Sequence, residues 1–277
     1  MRDCKIIIVT YNSEKYIQWV LDGLESSKSD LVIEIVDSGS KNNIYLDTIK
    51  SKHQLNINKH ENIGFVSANN LALKNSEDFK WTLFLNPDAR IEGGDLDNLL
   101  MIANSAHRKI GVLSVPLVRF DIESKTSFDK FDSLGITSTK YGRWFDISDI
   151  NKVIKSDAEN IFRSVSAVCG ALMLVNNIAL KNCPDKNSSI GFESSYYMYK
   201  EDIELCLRLE KGGWGVYIYD GIKAYHCRGW KGKRSDVPYW AKYHSAINDF
   251  DIALRYRPFF IPYSLLKLIW VKFFEKK

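Results

Sequence analysis

A chain of 277 residues, 45% hydrophobic and 26% charged, can bury a sizeable core, which excludes a disordered or fibrous protein. Its formal charge of +4, from 38 Lys and Arg against 34 Asp and Glu, is too small to argue for a nucleic-acid partner. The five cysteines, Cys4, Cys169, Cys183, Cys206 and Cys227, are an odd set without a Cys-x-x-Cys spacing, which speaks against zinc or a disulfide framework and fits reduced thiols in a cytoplasmic protein.

The N-terminal residues lead into a short apolar run that reads as a strand rather than a signal peptide. No stretch approaches the roughly 20 apolar residues needed to span a bilayer. Ile6 to Thr10 is β-branched throughout, as in a parallel strand covered on both faces. Asn12 or Ser13 is then placed to cap a helix whose apolar face is Tyr16, Ile17, Val20, Leu21 and Leu24. Leu31 to Val36 is a second strand, ending in Asp37-Ser38-Gly39-Ser40. Asp37 there is either turn chemistry or an acceptor for a pyrimidine NH or a ribose hydroxyl. A short strand around Asn56–Asn58 precedes Asn62-Ile63-Gly64-Phe65 and a helix from Val66 to Leu73.

Trp81 to Leu85 is the next buried strand, and Asn86-Pro87-Asp88 stops it, since proline cannot donate to a sheet ladder. Asp88 is thus a carboxylate at a strand's carboxyl end, where ligands bind in open α/β sheets. It is either a solvated turn residue or a metal-binding carboxylate facing a phosphorylated ligand. The β-α-β-β-α-β order predicts a doubly wound α/β domain. Neither a Gly-x-Gly-x-x-Gly nor a Gly-Lys-Ser/Thr loop is present, which argues against a dinucleotide dehydrogenase and a P-loop enzyme.

Val9-Thr10-Tyr11-Asn12, Val36-Asp37-Ser38-Gly39-Ser40, Asn62-Ile63-Gly64-Phe65 with Asn69, and Leu85-Asn86-Pro87-Asp88, in this order, resemble the inverting glycosyltransferases of family 2, above all their rhamnosyltransferase-like branch. The resemblance spans about residues 5–235. It implies a GT-A fold, a Rossmann-like and mostly parallel sheet flanked by helices. It further implies a nucleotide-sugar donor, by branch dTDP-L-rhamnose, contacted by Thr10, Tyr11, Asn12, Asp37, Asn62, Gly64, Phe65, Asn69, Asn86 and Asp88. Asp88 matches the last acid of the Asp-x-Asp motif and implies a divalent cation, Mg2+ or Mn2+. Asn86 departs from that motif's first aspartate, and Ser38 from the asparagine usual after Asp37.

Leu96 to Ala106 reads as a helix and Ile110 to Leu117 as a strand. Asp121 to Asp157 is polar and irregular, with a β-ribbon predicted around Gly142. It is either an excursion near the acceptor or a surface insertion. Val165 to Val175 reads as a strand whose Cys169-Gly170-Ala171 step implies close backbone approach to a ligand or a neighbour. Glu201-Asp202 then opens a helix with Ile203, Cys206 and Leu207 on one face, where first-turn acids suit the helix dipole. By resemblance Asp202 is the general base that takes the proton of the attacking sugar hydroxyl. Short strands follow at Val216–Tyr219 and Ile222–Tyr225, and His226 opens a basic loop with Arg228, Lys231, Lys233 and Arg234. The resemblance turns His226 toward the metal or the diphosphate and makes Arg228 a candidate phosphate clamp.

Trp240 to Tyr256 reads as a helix. The tail beyond Pro258 mixes Leu265, Leu266, Ile269, Trp270, Phe273 and Phe274 with Lys267, Lys272, Lys276 and Lys277, which fits either an interfacial helix on the inner membrane face or packing on the core or a second subunit. The expected organisation is a glycosyltransferase domain over 1–235, with a nucleotide half (1–118) and an acceptor half (119–235), plus a helical extension over 236–277. A saccharide acceptor, lipid-linked or free, and bacterial surface polysaccharide assembly (O-antigen or capsule) complete the expectation. The rival readings are a UDP-hexose or UDP-N-acetylhexosamine donor and a non-catalytic nucleotide-sugar or glycan-binding subunit. A homodimer is left open.

Overall fold

The computed structural model describes residues 2–153, 162–227 and 234–276. In chain order its elements are β1 (Arg2–Thr10), α1 (Ile17–Leu24), β2 (Leu31–Ser38), β3 (Gln54–His60), α2 (Phe65–Ala72), β4 (Phe79–Leu85), β5 (Ala89–Arg90) and α3 (Gly93–Ser105). The middle holds β6 (Ile110–Ser114), β7 (Leu117–Asp121), β8 (Thr126–Ser133), β9 (Ile136–Ser138), β10 (Trp144–Asp146), β11 (Phe162–Ser164), β12 (Leu172–Asn176) and α4 (Asn177–Asn182). The last part holds α5 (Glu201–Lys211), β13 (Gly215–Tyr219), β14 (Ala224–His226), α6 (Tyr239–Tyr256) and α7 (Ile261–Phe274).

Eight strands form the central sheet in the order β11-β13-β6-β12-β4-β1-β2-β3. β4, β1, β2 and β3 run parallel. β12 lies antiparallel between β4 and β6, and β11 antiparallel on the edge beside β13. The β1 run explains itself: Ile6 and Ile8 face one apolar cluster, shared with α1 and α3, while Ile7 and Val9 face the other, shared with α2 and α5. A strand covered on both faces has no room for alternating polar residues. The fold is mixed α/β, as the family resemblance implied, with a helical C-terminal part where the pattern of the tail predicted one.

Three local expectations are corrected. The 110–117 stretch is two strands, not one: Pro116 removes a ladder donor, so β6 ends in the central sheet and β7 begins a second, four-stranded sheet ordered β5-β14-β7-β8. The 165–175 strand starts only at Leu172, because the preceding backbone turns toward α5. Neither Asn12 nor Ser13 caps α1 with its side chain; the helix starts at Ile17 without a side-chain cap. Asn12 sits at φ 50 and ties loops together instead, its amide donating to Ser40 Oγ (2.7 Å) and its Oδ1 accepting from Lys41 N (2.9 Å). The predicted ribbon around Gly142 is present as β9 and β10, with Gly142 at φ 100 in its turn. The five cysteines are free thiols.

Candidate functional site

Two neighbouring cavities open at the carboxyl ends of the parallel strands. The larger, about 700 Å³, is walled by the loops after β1, β3 and β4 and by α6. Among the residues singled out from sequence, Tyr11, Asn12, Asn62, Gly64, Phe65, Asn86 and Asp88 line it. Gly64 is required there. It holds φ 83, and a Cβ would come within 2.5 Å of the Tyr197 ring. The Tyr197 hydroxyl in turn donates to Asn62 Oδ1 (2.7 Å), so the Asn62–Phe65 loop is clasped from outside.

Thr10, Asp37 and Asn69 stand behind this wall rather than in it. Asp37 is 0% exposed and accepts from Thr10 Oγ1 (2.9 Å) and from the Ser40 amide (3.0 Å). In this conformation it anchors the loop after β2, and its neighbour Ser38 reaches the cavity. Asn69 is buried in α2 with its amide on the Phe65 carbonyl (2.9 Å). Arg228, Lys231 and Lys233 lie outside the described residues, while Arg234 pairs with Glu275 at 2.7 Å.

The second sheet brings distant acids to one histidine. β14 pairs with β5, setting His226 opposite Ala89, and the Cys227 amide donates to the Asp88 carbonyl (2.9 Å). On its other side β14 sets His226 opposite Arg119 of β7, which pairs with β8. His226 Nε2 therefore stands 3.4 Å from Asp88 Oδ1, and its Nδ1 lies 2.8 Å from the buried Asp132 Oδ2. Arg119 reaches Asp132 at 3.3 Å. Burial disfavours the imidazolium, but the hydrogen bonds to Asp132 and Asp88 outweigh it and lift the His226 pKa to about 9. Among the described residues no group of three or more His, Cys, Asp or Glu is spaced to hold a metal ion. Loss of the Nε2 proton would free that nitrogen, beside Asp88, for a cation, with Asp132 on the ring's other nitrogen in the manner that orients metal-bound imidazoles.

The smaller cavity, about 510 Å³, is lined by Arg119, Asp132, Asp146, Lys200 and Asp202 together with aromatic residues of the 141–148 region. The two cavities are contiguous along the chain, since Tyr197 and Met198 face the larger and Tyr199 and Lys200 the smaller. Asp202 accepts from the Gly170 amide (3.0 Å) and from the Ile203 amide (2.8 Å). The small residue at 170 is explained by this approach, as a Cβ there would come within 3.3 Å of the Asp202 Cβ. Glu201 is buried, and its Oε2 has no hydrogen-bond partner. Burial and the neighbouring Asp202 charge push its pKa up to about 8. Burial also raises Asp202, whereas the Gly170 amide and Lys200 favour its charge. Two backbone N–H groups hold Asp202 and none is left over for Glu201 Oε2, so the proton of the pair resides on Glu201 and the charge on Asp202. The turn before them is strained. Tyr199 and Lys200 both take left-handed φ, 68 and 69, at roughly 1–2 kcal/mol each.

Sequence reasoning missed Asp132, Lys200, Tyr197, Trp240 and His244. β8 exposes most of its side chains and buries only its last two, so Asp132 carried no pattern. Trp240, His244 and Asn248, four apart, form a legible stripe on α6, but nothing in the sequence says what it faces.

A model described as Glycosyl transferase family 2 matches residues 5–158, more than half of the chain. The rhamnosyltransferase WbbL of Escherichia coli (strain K12) is 29% identical over 237 residues, covering 80% of this chain and 82% of that protein. Among solved structures, GalNAc-T7 with UDP, GalNAc and Mn2+ aligns with TM-score 0.67 and 10% identity over 91% of this chain. The alignment covers 48% of the GalNAc-T7 chain, so this protein spans about half of its length. The mannosyltransferase PcManGT of Pyrobaculum calidifontis, in complex with GDP-Man and Mn2+, aligns with TM-score 0.60 and 15% identity over 99% of this chain and 72% of that one. Residues 1–349 of S. aureus TarS with UDP-GlcNAc align with TM-score 0.58 and 15% identity over 96% and 70%. At such identities the structural likeness is one of fold, and it is the GT-A fold. The family model spans the strands that build the larger cavity, and on that match the chain belongs to glycosyl transferase family 2.

Proposed function

We propose that this glycosyltransferase moves L-rhamnose from dTDP-L-rhamnose in the larger cavity to a saccharide hydroxyl in the smaller one, with inversion. The observation that carries the reading is the adjacency of the cavities: Asp88 lines the first, Asp132 and Asp202 line the second, and His226 lies between Asp88 and Asp132. In a single in-line displacement the acceptor oxygen bonds to the anomeric carbon as that carbon's bond to the diphosphate breaks. The bonding pair leaves with the diphosphate, and Asp202 takes the acceptor's proton.

Asp88 and His226 would hold a Mg2+ or Mn2+ ion together with the donor diphosphate. Bound there, the cation supplies neutralising charge to the leaving group. With Asn86 in place of an acid, the protein would supply fewer carboxylate ligands to the cation, and its binding would depend more on the donor diphosphate. Tyr11, Phe65 and Tyr197 offer aromatic surface for the base and sugar. The choice of rhamnose is supported by the similarity to a named rhamnosyltransferase.

The acceptor in this reading is lipid-linked, and α7 rests on the inner membrane face. The outward face of α7 carries Leu266 (67% exposed), Trp270 (56%) and Phe273 (68%), continuous with Phe259 (95%) ahead of it. Lys272 and Lys276 flank this face and no acid lies on it; the helix's one neighbouring acid, Glu275, turns inward to Arg234 and Lys242. Apolar bulk flanked by cations suits an anionic bilayer surface. No helix among the described residues is long and apolar enough to cross a membrane.

The test is a panel of dTDP-, UDP- and GDP-sugars with Mn2+ or Mg2+, followed by product identification. Transfer of rhamnose with inversion supports the reading. Transfer from a UDP-hexose alone replaces the donor, and nucleotide binding without any transfer favours a non-catalytic subunit.

A further inference from the structure

The five residues from Tyr196 to Lys200 pass between the donor loop and α6, and α6 holds each of them. The Tyr196 hydroxyl donates to Asp251 Oδ2 at 2.7 Å. Tyr197 stacks on His244 with ring centroids 5.2 Å apart, and Tyr199 on Trp240 at 6.1 Å. The Asn248 side-chain amide donates to two successive carbonyls, Met198 (3.1 Å) and Tyr199 (2.7 Å). Lys200 Nζ lies 3.7 Å from Asp249, which also pairs with Lys267 of α7. Trp240, His244, Asn248 and Asp251 recur at helical spacing, so a single face of α6 makes most of this grip.

On the opposite side the same segment touches the donor loop. The Tyr197 carbonyl accepts from the Val66 amide at the start of α2 (3.2 Å), and its hydroxyl holds Asn62. The segment ends in the left-handed Tyr199-Lys200 pair that aims Asp202 at the Gly170 amide. Two consecutive non-glycine residues do not keep left-handed φ by themselves; surrounding contacts must over-determine them. Asn248, 4% exposed, supplies hydrogen bonds at the point of strain.

We propose that α6 is a positioning element of the transfer site, and that Asn248 is the residue through which it fixes the turn that presents Asp202. The helix thereby belongs to the site rather than to an appended tail. This rests on the reading of Asp202 as the base, but the arrangement itself is testable without a substrate. Asn248→Asp keeps the shape and replaces the amide donor with an acceptor facing two carbonyls. Ile252→Ala, in the buried core of the same helix, controls for lost stability alone.

Two measurements on the full chain decide it. By hydrogen exchange, Asn248→Asp should accelerate exchange in peptides spanning 196–203 at least tenfold while β1–β4 peptides stay as in wild type. By dTDP release from dTDP-L-rhamnose with Mn2+, its kcat should fall 10- to 100-fold with KM within threefold. Ile252→Ala should lower the unfolding midpoint yet keep kcat within twofold. Wild-type exchange in 196–203, a kcat within twofold, or an equal kcat loss in Ile252→Ala each overturns the proposal. Should Asn248→Asp not fold, Trp240→Ala at the half-exposed end of the grip is expected to loosen the same peptides, and unchanged exchange there overturns it equally. A wild-type protein inert toward dTDP-L-rhamnose would sink the donor assignment, while the exchange arm would still decide the role of α6.

Discussion

Glu201→Gln separates the two adjacent acids at the head of α5. The Glu201 carboxyl is raised from an ordinary 4.5 to about 8, by burial first and by the Asp202 charge second. Between those values the folded protein holds a proton that the unfolded chain has released. Unfolding free energy is therefore full below about pH 4.5, falls as pH rises, and has lost this contribution by about pH 8. At about 1.36 kcal/mol per pKa unit, a rise of this size is worth a few kcal/mol. The raised Asp202 carboxyl acts in the same direction and survives the substitution. Glutamine mimics the protonated acid, so Glu201→Gln should match wild type near pH 5 and exceed its stability by a few kcal/mol at pH 9. Urea unfolding followed by tryptophan fluorescence from pH 5 to 9 reads this directly. Parallel profiles for the two proteins would refute the assignment of the proton to Glu201. Because that proton is already in place at neutral pH, turnover of the variant at pH 7 should stay within about threefold of wild type.

Asp202→Asn should instead lower kcat by about 10²- to 10⁴-fold with donor affinity within threefold; transfer at near wild-type rate would show that another group takes the proton. Asp132→Asn should weaken Mn2+-dependent dTDP binding by about 10- to 100-fold, measured by calorimetric titration, since the His226 ring loses its orienting partner. Gly64→Ala adds a Cβ against the Tyr197 ring at a positive φ. It should lower the unfolding midpoint and weaken dTDP binding about tenfold, and an unperturbed variant would contradict the clasp on the donor loop. The double variant Leu266→Glu/Phe273→Glu should abolish co-sedimentation with anionic phospholipid vesicles. Retained pelleting would move the membrane contact elsewhere, and a change from dimer to monomer would reassign that face to a second copy of the chain.

Much of the fold was legible because its strands are covered on both faces. Runs such as Ile6–Val9 and Leu83–Leu85 have one reading only, and proline or Asx residues mark where they stop. What misled was local. The 110–117 run reads as one strand because its hydropathy is continuous across Pro116, yet the break is what starts a second sheet. Asn12 has the chemistry of a cap, but its φ of 50 and its bonds to Ser40 and Lys41 commit it to a loop junction. Asp37, by contrast, keeps the chemistry of a base contact while Thr10 and Ser40 donate to its carboxylate in this conformation.

The sequence by itself determined the parallel core, the strand-end carboxylate at Asp88, the acid pair at the head of a helix, and the family. Only the tertiary structure decided which of these groups meet. Asp88, His226 and Asp132 become neighbours through the pairing of β5, β14, β7 and β8, four segments spread over more than 130 residues, and short strands of mixed polarity leave no periodicity to announce such pairings. The grip of α6 on Tyr196–Lys200 is equally silent in one dimension, because an aromatic and polar helix face reads the same whether it meets solvent, a membrane or the turn that carries Asp202.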